Sequence, residues 1–156
     1  MVGAGPSREN RDTTKKAFED YFNKKGITQS ILDLDFDDAD ENCQETIEEA
    51  ILNNQIMAAC ALNSRSTRVL CEALKNTNRY GYFPVIGNGL FEGSKQYLRE
   101  GVLTAIVHKQ PYEQCIRALN VMTDYLIRDI RPAEDTVNVN IEIAFKSTVD
   151  QFNTEI

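Results

Sequence analysis

The stretch Phe83–Gln114, FPVIGNGLFEGSKQYLREGVLTAIVHKQPYEQ, decides the fold. It holds two short apolar runs, Val85-Ile86 and Leu103-Thr104-Ala105-Ile106-Val107, bounded by Gly and Pro as expected of fully buried strands in a parallel sheet. Between them Leu90 to Arg99 reads as a short helix stopped by Gly101. Gly87-Asn88-Gly89 closes the first run, and His108-Lys109-Gln110-Pro111 closes the second. In an open α/β sheet the loops at the carboxyl ends of the strands are free of ladder bonding and face helix N-termini, so ligands collect there. Binding chemistry is therefore to be sought in these loops.

Outward from this stretch the same alternation continues. Ala17, Phe18, Tyr21 and Phe22 mark one face of a helix that begins near Asp12, its expected N-cap, and stops at Gly26. Ile31 to Phe36 alternates Leu32, Leu34 and Phe36 with Asp33, Asp35 and Asp37, the pattern of a half-solvated strand. Ala39, Cys43, Ile47, Ala50 and Ile51 recur at helical spacing, and Ile56 to Leu62 is continuous and apolar like a central strand. A third helix after Asn63-Ser64 turns Val69, Leu70, Ala73 and Leu74 inward. The longest helix runs from Tyr112 to about Arg128, where Tyr112, Cys115, Ile116, Leu119, Met122 and Leu126 form a stripe that requires burial. Pro132 comes after it, and Val137, Val139, Ile141, Ile143 and Phe145 then alternate with polar residues as a strand with one wet face. This order predicts an α/β protein, a three-layer αβα sandwich with a mostly parallel sheet and right-handed crossovers.

One hundred and fifty-six residues suffice for one domain with a proper core. Met1 to Ser7, MVGAGPS, is featureless, and residues 1–11 are expected to be a disordered or vector-derived leader. A net charge of −7 argues against a surface that binds nucleic-acid phosphates directly. No apolar run approaches the ~20 residues that span a bilayer, so no membrane association is expected. Cys43, Cys60, Cys71 and Cys115 have no C-x-x-C spacing and read as buried free thiols of a reducing compartment.

Several motifs imitate chemistry that their context does not support. Gly87, Gly89 and Gly93 resemble a dinucleotide loop, but they come after the third strand and lack the acidic partner on a following strand. Asp33, Asp35, Asp37 and Asp38 suggest a phospho-acceptor pocket, yet the central strand ends in Asn63 where that chemistry needs Asp. His108 is the only histidine, which removes the usual base of hydrolytic nucleophiles and favours a structural role over metal ligation. No metal, cofactor or catalytic residue is expected. Asn63-Ser64 and Asn88 come after apolar strands, and an amide there can both donate to and accept from a hydroxyl, although Asn is also a common turn residue and N-cap.

DTTKKAFEDYFNKKG, AACALNSRSTRVLCEAL, FPVIGNGL and especially YLREGVLTAIVHKQPYEQCIRALNVMTDYL resemble, in order and spacing, the ligand-sensing core of the lactose-repressor and periplasmic sugar-binding superfamily. The likeness is to its second, C-terminal subdomain, a periplasmic-binding-protein-like (type 1) half, covering roughly Asp12 to Thr148. It implies that residues 12–156 are the C-terminal part of a ligand-sensing domain, with a sugar or polyol bound by Arg11, Asn63, Ser64, Asn88, Lys109 and Gln110. Gly89 stands where the family commonly has Asp, and Lys109 where it often has Gln. The resemblance further implies a non-enzymatic, cytoplasmic transcription regulator that acts as a homodimer and reaches DNA only through an N-terminal domain missing here. The alternatives are an exported solute-binding protein or sensor-kinase domain of the same fold and, in another class, a nucleotide-binding α/β enzyme.

Overall fold

The computed structural model describes residues 2–4, 8–28, 30–36 and 42–152, with side chains from residue 12 onward. In chain order the elements are β1 (Val2–Ala4), α1 (Arg8–Lys24), β2 (Leu34–Phe36), α2 (Cys43–Asn53), β3 (Ala59–Cys60), α3 (Ser64–Asn76), β4 (Val85–Asn88), α4 (Glu92–Glu100), β5 (Ala105–His108), α5 (Pro111–Arg128) and β6 (Glu142–Phe145). A short 3-10 turn, Val149–Gln151, comes last. Strands β3, β4 and β5 run parallel in that order, and β6 closes the sheet antiparallel to β5. β1 and β2 form a separate parallel pair. The architecture is mixed α/β with a mostly parallel sheet, as the alternation of periods predicts.

The core lies between one face of this sheet and the helices α2, α3 and α4. From α2 it takes Ile47 and Ile51, from α3 Leu70, Ala73 and Leu74, and from α4 Leu98. They meet Val85, Ile106 and Ala144 of the sheet. α3 supplies most because its apolar residues recur on one side, and Gly101, at φ 79° past the end of α4, lets Val102 and Leu103 turn straight back into the core.

Five sequence expectations differ from the structure. β1 and the first turn of α1 lie within residues 1–11, where the sequence predicts a leader outside the fold, and α1 begins at Arg8, ahead of Asp12. β3 is only two residues long, because it is the end strand of its ladder and pairs on one side alone; Met57, expected within it, is exposed. β4 is not fully buried, since Ile86 crops out on the face opposite the core, as Ile143 and Phe145 of β6 do. β6 starts at Glu142, and Val137 and Ile141 are exposed outside any ladder. Finally, α5 has no buried residue: Tyr112, Cys115, Ile116, Leu119, Met122 and Leu126 are all exposed. The helix forms because its sequence is good for helix and is started by Pro111 at its first position, but no described surface covers its stripe. Ala39, Asp37 and Asp38 lie outside the described residues.

Candidate ligand-binding rim

Because β3, β4 and β5 are adjacent and parallel, their carboxyl ends and the loops leaving them share one edge of the sheet. Asn63 comes after β3, Asn88 ends β4, and Lys109 and Gln110 come after β5. Register ties them closely: Cys60 pairs with Ile86, and Asn88 with Val107, two residues before Lys109. α3 and α4 begin at this edge, so the positive ends of their helix dipoles lie toward it.

The two asparagines are held differently. Asn63 is the N-cap of α3: its Oδ1 accepts the N–H of Ser66 at 2.8 Å, and Ser66 Oγ accepts the N–H of Asn63 at 3.1 Å. Such a reciprocal cap stabilises a helix by about 1 kcal/mol. It uses one of the two lone pairs of Oδ1 and leaves Nδ2 without a partner among the described residues, so the donor side of Asn63 is the more available to a ligand. Asn88 is half-buried, its side-chain amide unbonded among the described residues while its backbone is fixed through Thr67.

Thr67, fully buried in the first turns of α3, accepts the Asn88 N–H at 2.8 Å. Its own proton has two acceptors in reach, the carbonyls of Asn63 at 2.8 Å and Asn88 at 2.9 Å. Sequence reasoning does not single this residue out. Its signal is a hydroxyl on the same helical face as Leu70, Cys71 and Leu74, where an apolar side chain would otherwise stand.

The glycines of this edge accommodate the protein itself. A Cβ on Gly87 would lie 2.8 Å from Thr67 Cγ2, and one on Gly89, whose φ is 88°, would run into Ser64 Oγ. A dinucleotide loop uses its glycines to admit a pyrophosphate; here the β3–α3 turn already fills that space. The same contact explains why residue 89 carries no side chain where the resemblance puts an Asp.

Ser64 is exposed on the first turn of α3. Lys109 is exposed, and its carbonyl accepts Gln114 Nε2 at 2.6 Å. Gln110 caps α5 in a left-handed conformation, φ 47°, that non-glycine residues adopt rarely. Arg11 lies within α1, and its side chain is outside the described residues. An open groove of about 740 Å³ runs between α5 and residues 132–141, lined by Arg117, Val121, Tyr125, Val137 and Ile141, and of the rim candidates includes Lys109 alone.

Other groups are structural. His108 packs edge-on against Phe152, ring centroids 6.0 Å apart. Burial pushes the Cys71 thiol up to about 12 and raises that of Cys60, while Cys115, expected to be buried, is exposed on α5. All four thiols are free, and no cluster of three metal-ligating side chains occurs among the described residues. No described helix is long and apolar enough to cross a membrane.

A half-open rim on a mostly parallel α/β sheet is the architecture of type 1 periplasmic-binding-protein-like domains. The chain belongs to that group: the family model for the periplasmic binding protein domain matches residues 1–129. No curated protein sequence matches it significantly. A protein described as a LacI transcriptional regulator from Bacteroides fragilis superposes with a TM-score of 0.83 at 19% identity, over 97% of this chain and 54% of its own. An ABC transporter periplasmic solute binding protein from Actinobacillus succinogenes 130z with bound D-allose gives 0.80 at 14%, over 97% and 54%. A periplasmic ribose ABC transporter protein from Conexibacter woesei DSM 14684 gives 0.75 at 21%, over 97% and 52%. The chain thus spans about half the length of each. The family and these neighbours are binding proteins and a regulator rather than enzymes.

Proposed function

We propose that this chain supplies one wall of a cleft for a sugar or similar polyol, as the effector-binding half of a lactose-repressor-type regulator. The observation that carries the reading is the convergence of Asn63, Asn88 and Lys109 on the carboxyl edge of three adjacent parallel strands. The donor amino group of Asn63, the free amide of Asn88 and the ammonium of Lys109 offer the mixed hydrogen bonding that vicinal hydroxyls need. Ser64 and Gln110 adjoin the same edge in sequence, while Arg11, on α1, joins the set through the family resemblance alone. In this reading the protein is cytoplasmic and homodimeric, and it reaches DNA only through a separate N-terminal domain.

The transporter-like neighbours favour a second reading, an exported solute-binding protein, with the same rim in the same role. A helix-turn-helix or a secretory signal in the native flanking sequence separates the two. The rim is tested by following backbone and side-chain amide resonances during titration with D-ribose, D-allose, D-glucose, D-galactose and myo-inositol to tens of millimolar. Shifts confined to residues 63–66, 87–91 and 108–112, and lost in Asn88→Ala, support it. Shifts centred on the groove beside α5, or none with any sugar, refute it.

A further inference from the structure

We infer that Thr67 is the positioning residue of this rim: its buried hydroxyl sets where Asn63 and Asn88 stand relative to one another. This rests on the sugar-binding reading only for the consequence to affinity; the positioning itself is a matter of the fold.

Asn63 comes after β3 and Asn88 ends β4, and β3 contributes only two residues of ladder to hold them in register. The last backbone bond from this strand to β4 is the Ala61 N–H at 2.9 Å from the Ile86 carbonyl, so the turn beyond Ala61 needs other contacts to hold it against the end of β4. Three contacts do so. Thr67 Oγ1 accepts the Asn88 N–H at 2.8 Å and reaches both the Asn63 and Asn88 carbonyls within 2.9 Å. Its methyl group lies on Gly87 so closely that a Cβ there would sit 2.8 Å away. Ser64, at the start of α3, abuts Gly89, just past the end of β4, in the same way.

The hydroxyl is the directional member of this set. It acts as acceptor and donor toward the backbone of Asn88, while its own helix is anchored to Asn63 by the Thr67 N–H at 2.9 Å from the Asn63 carbonyl. Thr67 has no exposed surface, so the hydroxyl is shielded from competing water. With the hydroxyl removed, the Asn88 N–H would have to find another partner or water, and the strand end would move to provide it. Rim amides held in this way need little ordering when a ligand arrives, which is how preorganisation raises affinity. Thr67 itself touches no ligand.

The test compares Thr67→Val, isosteric but without the hydroxyl, with Thr67→Ser, which keeps it, in the 156-residue chain. Amide hydrogen exchange is read at Asn88 and along α3, and binding is read by resonance shifts with the same five sugars. The expected result for Thr67→Val is Asn88 exchange at least tenfold faster with the centre of α3 unchanged, and sugar dissociation constants raised about tenfold. Thr67→Ser should return both to within about twofold. Wild-type exchange at Asn88 in Thr67→Val, or a Thr67→Ser that behaves no better than Thr67→Val, overturns the inference. Should Thr67→Val not fold, Thr67→Ser decides alone: loss of Asn88 protection with the hydroxyl still present refutes the role. A wild-type chain that responds to no sugar refutes the sugar reading separately, and the exchange measurements still decide the positioning.

Discussion

Gly89→Ala tests how closely the two loops of the rim approach. Residue 89 has φ 88°, where an L-residue carries a backbone strain of roughly 1–2 kcal/mol. Its new Cβ would also collide with Ser64 Oγ and lie 3.1 Å from Ser64 Cβ. Ser64 is on the first turn of α3, whose cap and whose Thr67 contacts resist displacement, so relief by movement is limited. Overpacking of this kind adds about 1–3 kcal/mol. The expected total is about 2–5 kcal/mol, which at a mid-range urea dependence of about 2 kcal/mol per molar lowers the denaturation midpoint by roughly 1–2.5 M. A double-mutant cycle with Ser64→Gly divides the sum: in that background the steric part disappears and Gly89→Ala costs only its backbone strain, about 1–2 kcal/mol. Urea titration followed by circular dichroism reads all four proteins. An unchanged midpoint in Gly89→Ala, or an equal loss with and without the Ser64 side chain, would refute the account of why this position is glycine. The same reasoning makes Gly89→Asp a poor route to a carboxylate at the rim.

Burial and titration set further outcomes. Leu98→Ala, at a fully buried site between α4 and the sheet, should cost about 2–5 kcal/mol by urea unfolding, whereas Leu126→Ala, on the exposed stripe of α5, should stay within about 0.5 kcal/mol. Amide exchange along α5 should be much faster than along α3, since nothing described covers α5; comparable protection would show the stripe buried in solution. The Cys71 thiol ionises near 12 when folded against an ordinary value of 9.0, so its burial stabilises fully below pH 9 and that contribution is lost as pH rises toward 12. Midpoints of the native chain should therefore fall over that window more steeply than those of Cys71→Ala; parallel curves would contradict it. Cys115 should react with an alkylating reagent in the folded chain while Cys71 does not, as mass spectrometry of peptides would show.

The sequence was legible where a segment buries its apolar side on its own neighbours. In α3 the inward positions include Leu70, Ala73 and Leu74, and these are buried because α2 and β4 lie within the same short stretch of chain. Boundaries were less legible where pairing decides them: nothing in Ile56 to Leu62 announces that the strand proper is only Ala59 and Cys60. At the rim the chain order alone brought Asn63, Asn88 and Lys109 to one edge. What residue types could not give was how each is held. An asparagine before a helix reads equally as a cap or as a ligand contact, and the bonds of Asn63 show that the cap takes its oxygen while its nitrogen stays available. Thr67 escapes notice because a threonine among apolar positions satisfies helical periodicity without showing where its hydroxyl is used.

The stripe on α5 is the place where periodicity and structure part, and the reason is physical. A repeat of apolar residues states that a surface is meant to be covered, but carries no information on what covers it. Ile116, Leu119, Met122 and Leu126 stand open, as do Val137 and Ile141 across the groove. Burial of each large apolar side chain would return roughly 1.5–3 kcal/mol, a driving force this chain leaves unused. The solved neighbours carry about as much chain again, and in the proposed reading that further chain is the cover. Lys109 then gains a particular place, for it belongs both to the rim and to the groove beside α5. In the proposed reading, a surface that fills the groove along α5 comes up to Lys109 and so to the mouth of the rim, which would join covering the helix to enclosing the ligand. A half-cleft without that cover offers a sugar only part of its hydrogen bonds, so binding by the 156-residue chain should be weak and should tighten when the complementary half is supplied.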